Sequence, residues 1–262
     1  MIQFEIRDLH LSFGGLKALN GINLNIRKGE IVSLIGPNGA GKTSLINCIC
    51  KCYSFSRGQV FFEGADITPL NTHTIARRSI SRTFQNLDLF KGMTVMENVK
   101  LGSHIHIRSG VLSHLLYYGR AYSEEKQLER LIEEEILDVL GLAPYKGHLV
   151  GSLPYGLQKR VDFARALAAR PKLLILDEPM AGMNQEESKE MTQHILKIKK
   201  SKGLTILLVE HDMEVVMNIS DRVYVINFGV NIAEGTPDDV KKNEEVIKIY
   251  LGHEFDPSTW KT

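Results

Sequence analysis

Cysteine and tryptophan are scarce, three and one in 262 residues, and neither sign of charge is in surplus. The 32 Lys and Arg set against 31 Asp and Glu leave a net charge of +1. A protein that binds nucleic acid by neutralising phosphates needs a basic excess, so this composition argues against that class. No apolar run approaches the roughly 18 residues that read as a membrane-spanning helix. Glu5, Arg7 and Asp8 interrupt the start of the chain, unlike a secretory signal peptide. The expectation is a cytoplasmic protein that meets a membrane only through partners. Cys48, Cys50 and Cys52 form C-x-C-x-C, in which residues two apart do not share a helix face and no second pair completes a zinc spacing. They read as buried or half-buried thiols on a helix, and an odd number in a reducing compartment needs no disulfide. With 43% hydrophobic and 24% charged residues the chain is of ordinary globular composition. Its length suits one large domain or two packed subdomains.

The most informative stretch is Gly36-Pro37-Asn38-Gly39-Ala40-Gly41-Lys42-Thr43-Ser44. It follows the apolar run 31–35 and precedes Leu45 and Ile46, so it reads as strand, glycine loop, helix start. G-x-x-x-x-G-K-[ST] is filled by Gly36, Gly41, Lys42 and Thr43, the pattern of a phosphate-binding loop. Glycines let the backbone wrap an anion without a clashing Cβ, and the helix that follows offers free amides and the positive end of its dipole. Lys42 can reach the outer phosphates of a nucleoside triphosphate, and the Thr43 hydroxyl can bind Mg²⁺.

Along the chain, Ile2, Phe4 and Ile6 alternate with polar residues as in a half-buried strand, and residues 16–26 resume the alternation after a glycine turn. Phe13, in that turn, is either a core phenylalanine or an aromatic face for a nucleotide base. A short antiparallel strand is expected at 60–62, a short helix at 75–79, and a strand over 81–85 ending at Gln85. Residues 124–140 carry Leu128, Ile132, Ile136, Val139 and Leu140 as one helical stripe. The apolar stretch 111–118 is subdomain core or a partner-facing patch. A helix is expected from Pro154 to Ala169 and another beginning at Pro237, while the tail from Phe255, with Trp260, has little pattern. Two short apolar runs, 173–176 and 205–209, read as buried parallel strands. The first ends in Asp177 and Glu178, the second in Glu210 and His211. An acid at such a strand end can bind Mg²⁺ beside a phosphate loop, which suits Asp177. Glu178 can act as general base toward the attacking water, and His211 can donate a hydrogen bond to the γ-phosphate.

With these residues in order, the chain resembles the ATP-binding subunits of ABC transporters over nearly its whole length. Gln85 matches the family glutamine that touches Mg²⁺, the water and the membrane subunit. The segment Leu153-Pro154-Tyr155-Gly156-Leu157 through Arg160 matches the signature, residues 181–184 the turn after the acidic strand, His211 the switch histidine, and Phe13 the adenine-stacking aromatic. The resemblance implies an α/β fold: a P-loop NTPase core with a mixed sheet, an antiparallel N-terminal β subdomain and an inserted helical subdomain. In this single ABC ATPase domain, 1–86 and 171–240 would form the core and β subdomain. Residues 87–170 would form the helical part and 241–262 a C-terminal helix and tail. It also implies a head-to-tail dimer, of like or unlike ATPases, in which the signature segment closes over ATP and Mg²⁺ held by the other subunit.

Two integral-membrane permease subunits and, indirectly, a periplasmic or extracellular solute-binding protein complete the implied assembly. The chain would then lie peripherally on the cytoplasmic side of the inner membrane. Pro154 departs from the commoner serine and removes a donor to the trans phosphate, so closure is expected to be weaker while the amides of Gly156 and Leu157 remain. Tyr155, the long stretch before the signature and the ending 246–252 look most like ATPases of branched-chain amino-acid importers. Urea or amide importers, a lipopolysaccharide exporter and a non-transport ATPase switch are the alternatives. The intact Glu178 argues against a catalytically dead regulator.

Overall fold

The computed structural model describes residues 1–83, 87–104 and 120–251. Gln85, the 111–118 stretch and the tail containing Phe255 and Trp260 lie outside them. The chain forms two compact units, Met1–Ile75 with Thr205–Thr262, and Ala76–Leu204.

In the first unit, strands Ile2–Phe13 and Leu16–Arg27 pair antiparallel across the Gly14-Gly15 turn, and strand Arg57–Phe62 adds to the first of them. Alternation has its expected result, with Phe4, Ile6, Leu9 and Leu11 buried from one strand and Leu19, Ile22, Leu24 and Ile26 from the next. The strand Ile31–Ile35 runs parallel to both Thr205–Val209 and Arg222–Asn227, and Val230–Gly235 closes antiparallel on the latter. This mixed arrangement buries every residue of Ile31–Ile35 and Thr205–Val209. That is why both read as predominantly apolar runs, with Ser33 and Thr205 the buried exceptions.

The helix expected from Pro237 is two helices. Thr236 and Asp239 form a capping box at the start of Pro237–Lys242. Asn243 then leaves helical geometry, and its side chain accepts the Glu245 and Val246 amides at the start of Glu244–Leu251. Val240 and Val246 pack with Ile35, Val216, Val223 and Val225. The helix Lys42–Ile49 is shorter than the cysteine reading assumed, so Cys50 and Cys52 fall beyond it and Cys52 is exposed. Only Cys48 is fully buried, and burial pushes its thiol up to about 11.

In the second unit, strand Ile80–Arg82 pairs parallel with Leu173–Asp177. The short helix expected at 75–79 is Thr72–Arg77, most of it in the first unit, and it ends before Ser79 rather than at it. The stripe over 124–140 is not one α-helix. Helix Arg120–Ile132 passes into a five-residue π turn, Glu133–Leu137, which brings Ile136 and Leu137 inside together. Helices Val95–Gly102 and Tyr155–Ala168 meet backbone to backbone, since a Cβ on Gly102 would come 1.9 Å from the Arg165 carbonyl oxygen.

Asn98, 0% exposed, organises the entry to this helix pair. Its Oδ1 accepts the Phe90 amide at 2.9 Å, and its Nδ2 donates to the Phe90 carbonyl at 3.0 Å and the Thr94 carbonyl at 3.1 Å. Removing it leaves the Phe90 amide and the Phe90 and Thr94 carbonyls without these partners. Asn98→Ala is therefore expected to cost about 2–3 kcal/mol in a denaturant titration. A parental midpoint would mean that water or a local shift satisfies those groups.

Candidate nucleotide site

In the first unit, the loop 36–44 leaves the end of a fully buried strand and enters helix Lys42–Ile49 through Gly41, in the left-handed region at φ 105°. That helix has no side-chain cap and no acid in its first turn. Its leading amides are thus open to an anion, with no competing carboxylate in the first turn. The Lys42 ammonium donates to the Gly36 carbonyl at 2.6 Å and the Pro37 carbonyl at 3.1 Å, which holds it over the loop. Ala40 is buried, Asn38, Gly39 and Thr43 are exposed, and Ser44 is half-buried.

Neighbouring backbone fixes the loop from behind. Gly229 donates its amide to the Ala40 carbonyl at 2.9 Å and accepts the Asn20 amide at 2.7 Å. A Cβ at Gly229 would fall 2.4 Å from the Ala18 oxygen, so only glycine fits there. Tyr250 packs against the buried cluster that contains Ile35, the residue before the loop, and burial pushes its phenol above its ordinary range. Neither Gly229 nor Tyr250 carried a signal in the sequence that would have tied it to the loop.

Phe13 is not a core residue. It is 48% exposed and meets Tyr53 edge to face, with ring centroids 5.3 Å apart at 84°. This is a surface aromatic platform able to stack on a base. His211 is also outward, its side chain 64% exposed with Nδ1 3.8 Å from a carboxylate oxygen of Glu210, which is itself buried. Its backbone amide donates to the same Glu210 oxygen at 3.2 Å.

In the second unit, Asp177 ends its strand at 1% exposure. Its Oδ2 accepts Arg82 Nη2 at 2.8 Å and its amide donates to Thr83 Oγ1 at 3.2 Å. Burial raises the Asp177 carboxyl above its ordinary range, and the Arg82 guanidinium opposes that shift. The sequence reading missed Arg82. Glu178 follows at φ 49°, a left-handed conformation that costs a non-glycine residue about 1–2 kcal/mol.

The helix expected over 154–169 spans Tyr155–Ala168, one residue shorter at each end. Pro154 lies outside as the N-cap, at φ −52° and ψ 151°. An N-cap residue contributes extended backbone and its carbonyl, both of which proline supplies. The Tyr155 ring lies against Gly182, where a Cβ would approach Cε1 to 2.9 Å. Gly156 is buried against the Glu187 carboxylate, and Leu157 is half-buried. The turn 181–184 ends at Asn184, which forms a capping box with Glu187 on helix Gln185–Lys202.

Residues 19–181 match the family described as ABC transporter, and residues 230–256 match that described as branched-chain amino acid ATP-binding cassette transporter. The chain is 40% identical over 248 residues to the high-affinity branched-chain amino acid transport ATP-binding protein BraF of Pseudomonas aeruginosa, covering 95% of this chain and 97% of that protein. It is 42% identical over 251 residues to LivG of Escherichia coli (strain K12), a protein of the same description, covering 95% and 97%. Among solved structures, an ATP-binding cassette of an ABC transporter in its ADP conformation superimposes with a TM-score of 0.83. It is 34% identical and is covered to 99%, against 96% of this chain. The glycine loop, the acidic strand end and the Tyr155–Ala168 helix thus stand in a chain that belongs to the ABC transporter family, as an ATPase of its branched-chain amino-acid group.

Proposed function

We propose that this chain powers the uptake of branched-chain amino acids, paired with a second ATPase subunit beneath two permease subunits and supplied by a solute-binding protein. The match of residues 230–256 to the branched-chain cassette family carries the substrate class. No helix among the described residues is long and apolar enough to cross a membrane. In this reading the chain docks peripherally on the cytoplasmic side of the inner membrane.

The catalytic roles follow from chemistry at each position. Lys42 and the leading amides of its helix neutralise the outer phosphates, and Phe13 stacks on the adenine. Glu178 takes a proton from the attacking water, which bonds to the γ-phosphorus as the bond to ADP breaks. His211 donates to a γ-phosphate oxygen. The start of the Tyr155–Ala168 helix, including the amides of Gly156 and Leu157, meets the γ-phosphate of ATP held by the other subunit. Pro154 offers no donor there. Thr43, Asp177 and Gln85 are all oxygen donors, a set that suits Mg²⁺. When bound, that ion neutralises charge on the β- and γ-phosphates.

The deciding experiment is ATPase of the reconstituted transporter with a panel of solutes. Stimulation by leucine, isoleucine and valine, and none by urea or short amides, is expected. Stimulation by urea alone would reassign the solute and leave the ATPase reading intact.

A further inference from the structure

Within the second unit, one buried cation bears on Glu178 without belonging to the loop, the acidic strand or the four leading residues of the signature. Lys159 lies one helical turn beyond Tyr155, on the same face. It is 3% exposed. Its ammonium lies 5.8 Å from the Tyr155 ring centroid and donates to the Glu178 carbonyl at 3.4 Å. A buried ammonium is costly unless hydrogen-bonded. Here one of its bonds goes to the residue with the left-handed backbone. The same carbonyl accepts the Ala181 amide at 3.1 Å from the turn that follows.

The Glu178 carbonyl is therefore held from two sides, by the signature helix and by the turn 181–184. Those two elements are also locked to each other. The Tyr155 ring covers Gly182, and a Cβ on Gly156 would fall 2.3 Å from Glu187 Oε1. The second oxygen of that carboxylate accepts the Asn184 amide at 3.0 Å. Helix start, turn and Glu178 backbone form one block, and left-handed φ at a glutamate persists only where its surroundings impose it.

We infer that Lys159 is a positioning residue: it sets the Glu178 backbone and links the start of the signature helix to the catalytic glutamate of its own chain. An ATP seated against that helix start from the other subunit would then bear on Glu178 here, giving the two composite sites a path of communication. The inference rests on the reading of Glu178 as general base.

The test uses the transporter assembled with its permease subunits and compares Lys159→Met, which keeps the stem and removes the charge, with Lys159→Arg. For Lys159→Met, kcat is expected to fall about tenfold or more, as for a displaced reacting group. KM for ATP and the melting temperature should stay near parental values, and cooperativity in ATP should diminish. Lys159→Arg should restore most of the turnover. Unchanged kcat and cooperativity in Lys159→Met would overturn the inference. So would a loss of ATP affinity or melting temperature that accounts for the whole defect. Glu178→Gln, measured alongside, separates the two readings. Retained turnover there removes the general base and with it the catalytic meaning of Glu178, whatever Lys159→Met does.

Discussion

Glu178→Gln is expected to lower ATP turnover by about 10²–10⁴-fold, the usual contribution of a positioned general base. ATP should still bind. The amide is nearly isosteric and leaves the backbone contacts of residue 178 in place, including the bonds to its carbonyl from Lys159 and Ala181. It removes only the capacity to accept a proton. Because the left-handed φ of 49° is set by the backbone, glutamine faces the same strain as glutamate, and the melting temperature should hardly move. The dimer should be favoured, since bound ATP would no longer be consumed. Single-turnover hydrolysis with labelled ATP, beside equilibrium ATP binding, checks both halves. Near-parental hydrolysis would mean that another group activates the water.

The second large effect is expected at Gly36. A Cβ there would lie 2.2 Å from the Ile226 oxygen, 3.2 Å from its carbonyl carbon and 3.0 Å from the Ala40 Cβ. Ile226 is a fully buried residue of a paired strand, so its carbonyl cannot move aside as the tip of a flexible side chain would. Gly36→Ala should cost about 3 kcal/mol or more, as overpacking of a rigid core site does. For a chain of this size that is a fall in Tm of about 6–12 °C. The strand end and the loop must also part, so ATP affinity should collapse with stability. Gly39→Ala is the control inside the same loop. A methyl added at Gly39 would meet no atom within 4 Å, and the φ of 80° leaves a backbone penalty of about 1–2 kcal/mol. Equal effects at the two positions would refute the steric argument.

How far the sequence could be read depended on whether a feature was contiguous. The loop 36–44, the acids at 177–178 and the buried strands 31–35 and 205–209 each lie in one short run, so local pattern sufficed. Contacts made by distant residues were not legible. Nothing in its own neighbourhood assigns Arg82 to Asp177, Lys159 to the Glu178 carbonyl or Tyr250 to the cluster around Ile35. Periodicity also concealed a backbone change, because an apolar stripe continues through the π turn 133–137 without marking it. The split of the last helix did have a signal. Asn243 precedes Glu244-Glu245 as a capping residue would, and the apolar periodicity around it obscured the break. Phe13 shows the opposite case. Residue type left two readings open, and solvent exposure beside Tyr53 removed the core reading.

Tyr250 packs against the buried cluster that contains Ile35, the residue before the phosphate loop, and this gives the last described helix a thermodynamic share in that loop. The tyrosine sits one residue before the end of that helix. If a ligand on the loop tightens the packing, linkage requires the docked helix to strengthen ligand binding by the same factor. A change that strains Glu244–Leu251 is then felt at the strand end that carries the loop. Nucleotide affinity measured on such a protein carries the free energy of docking that helix.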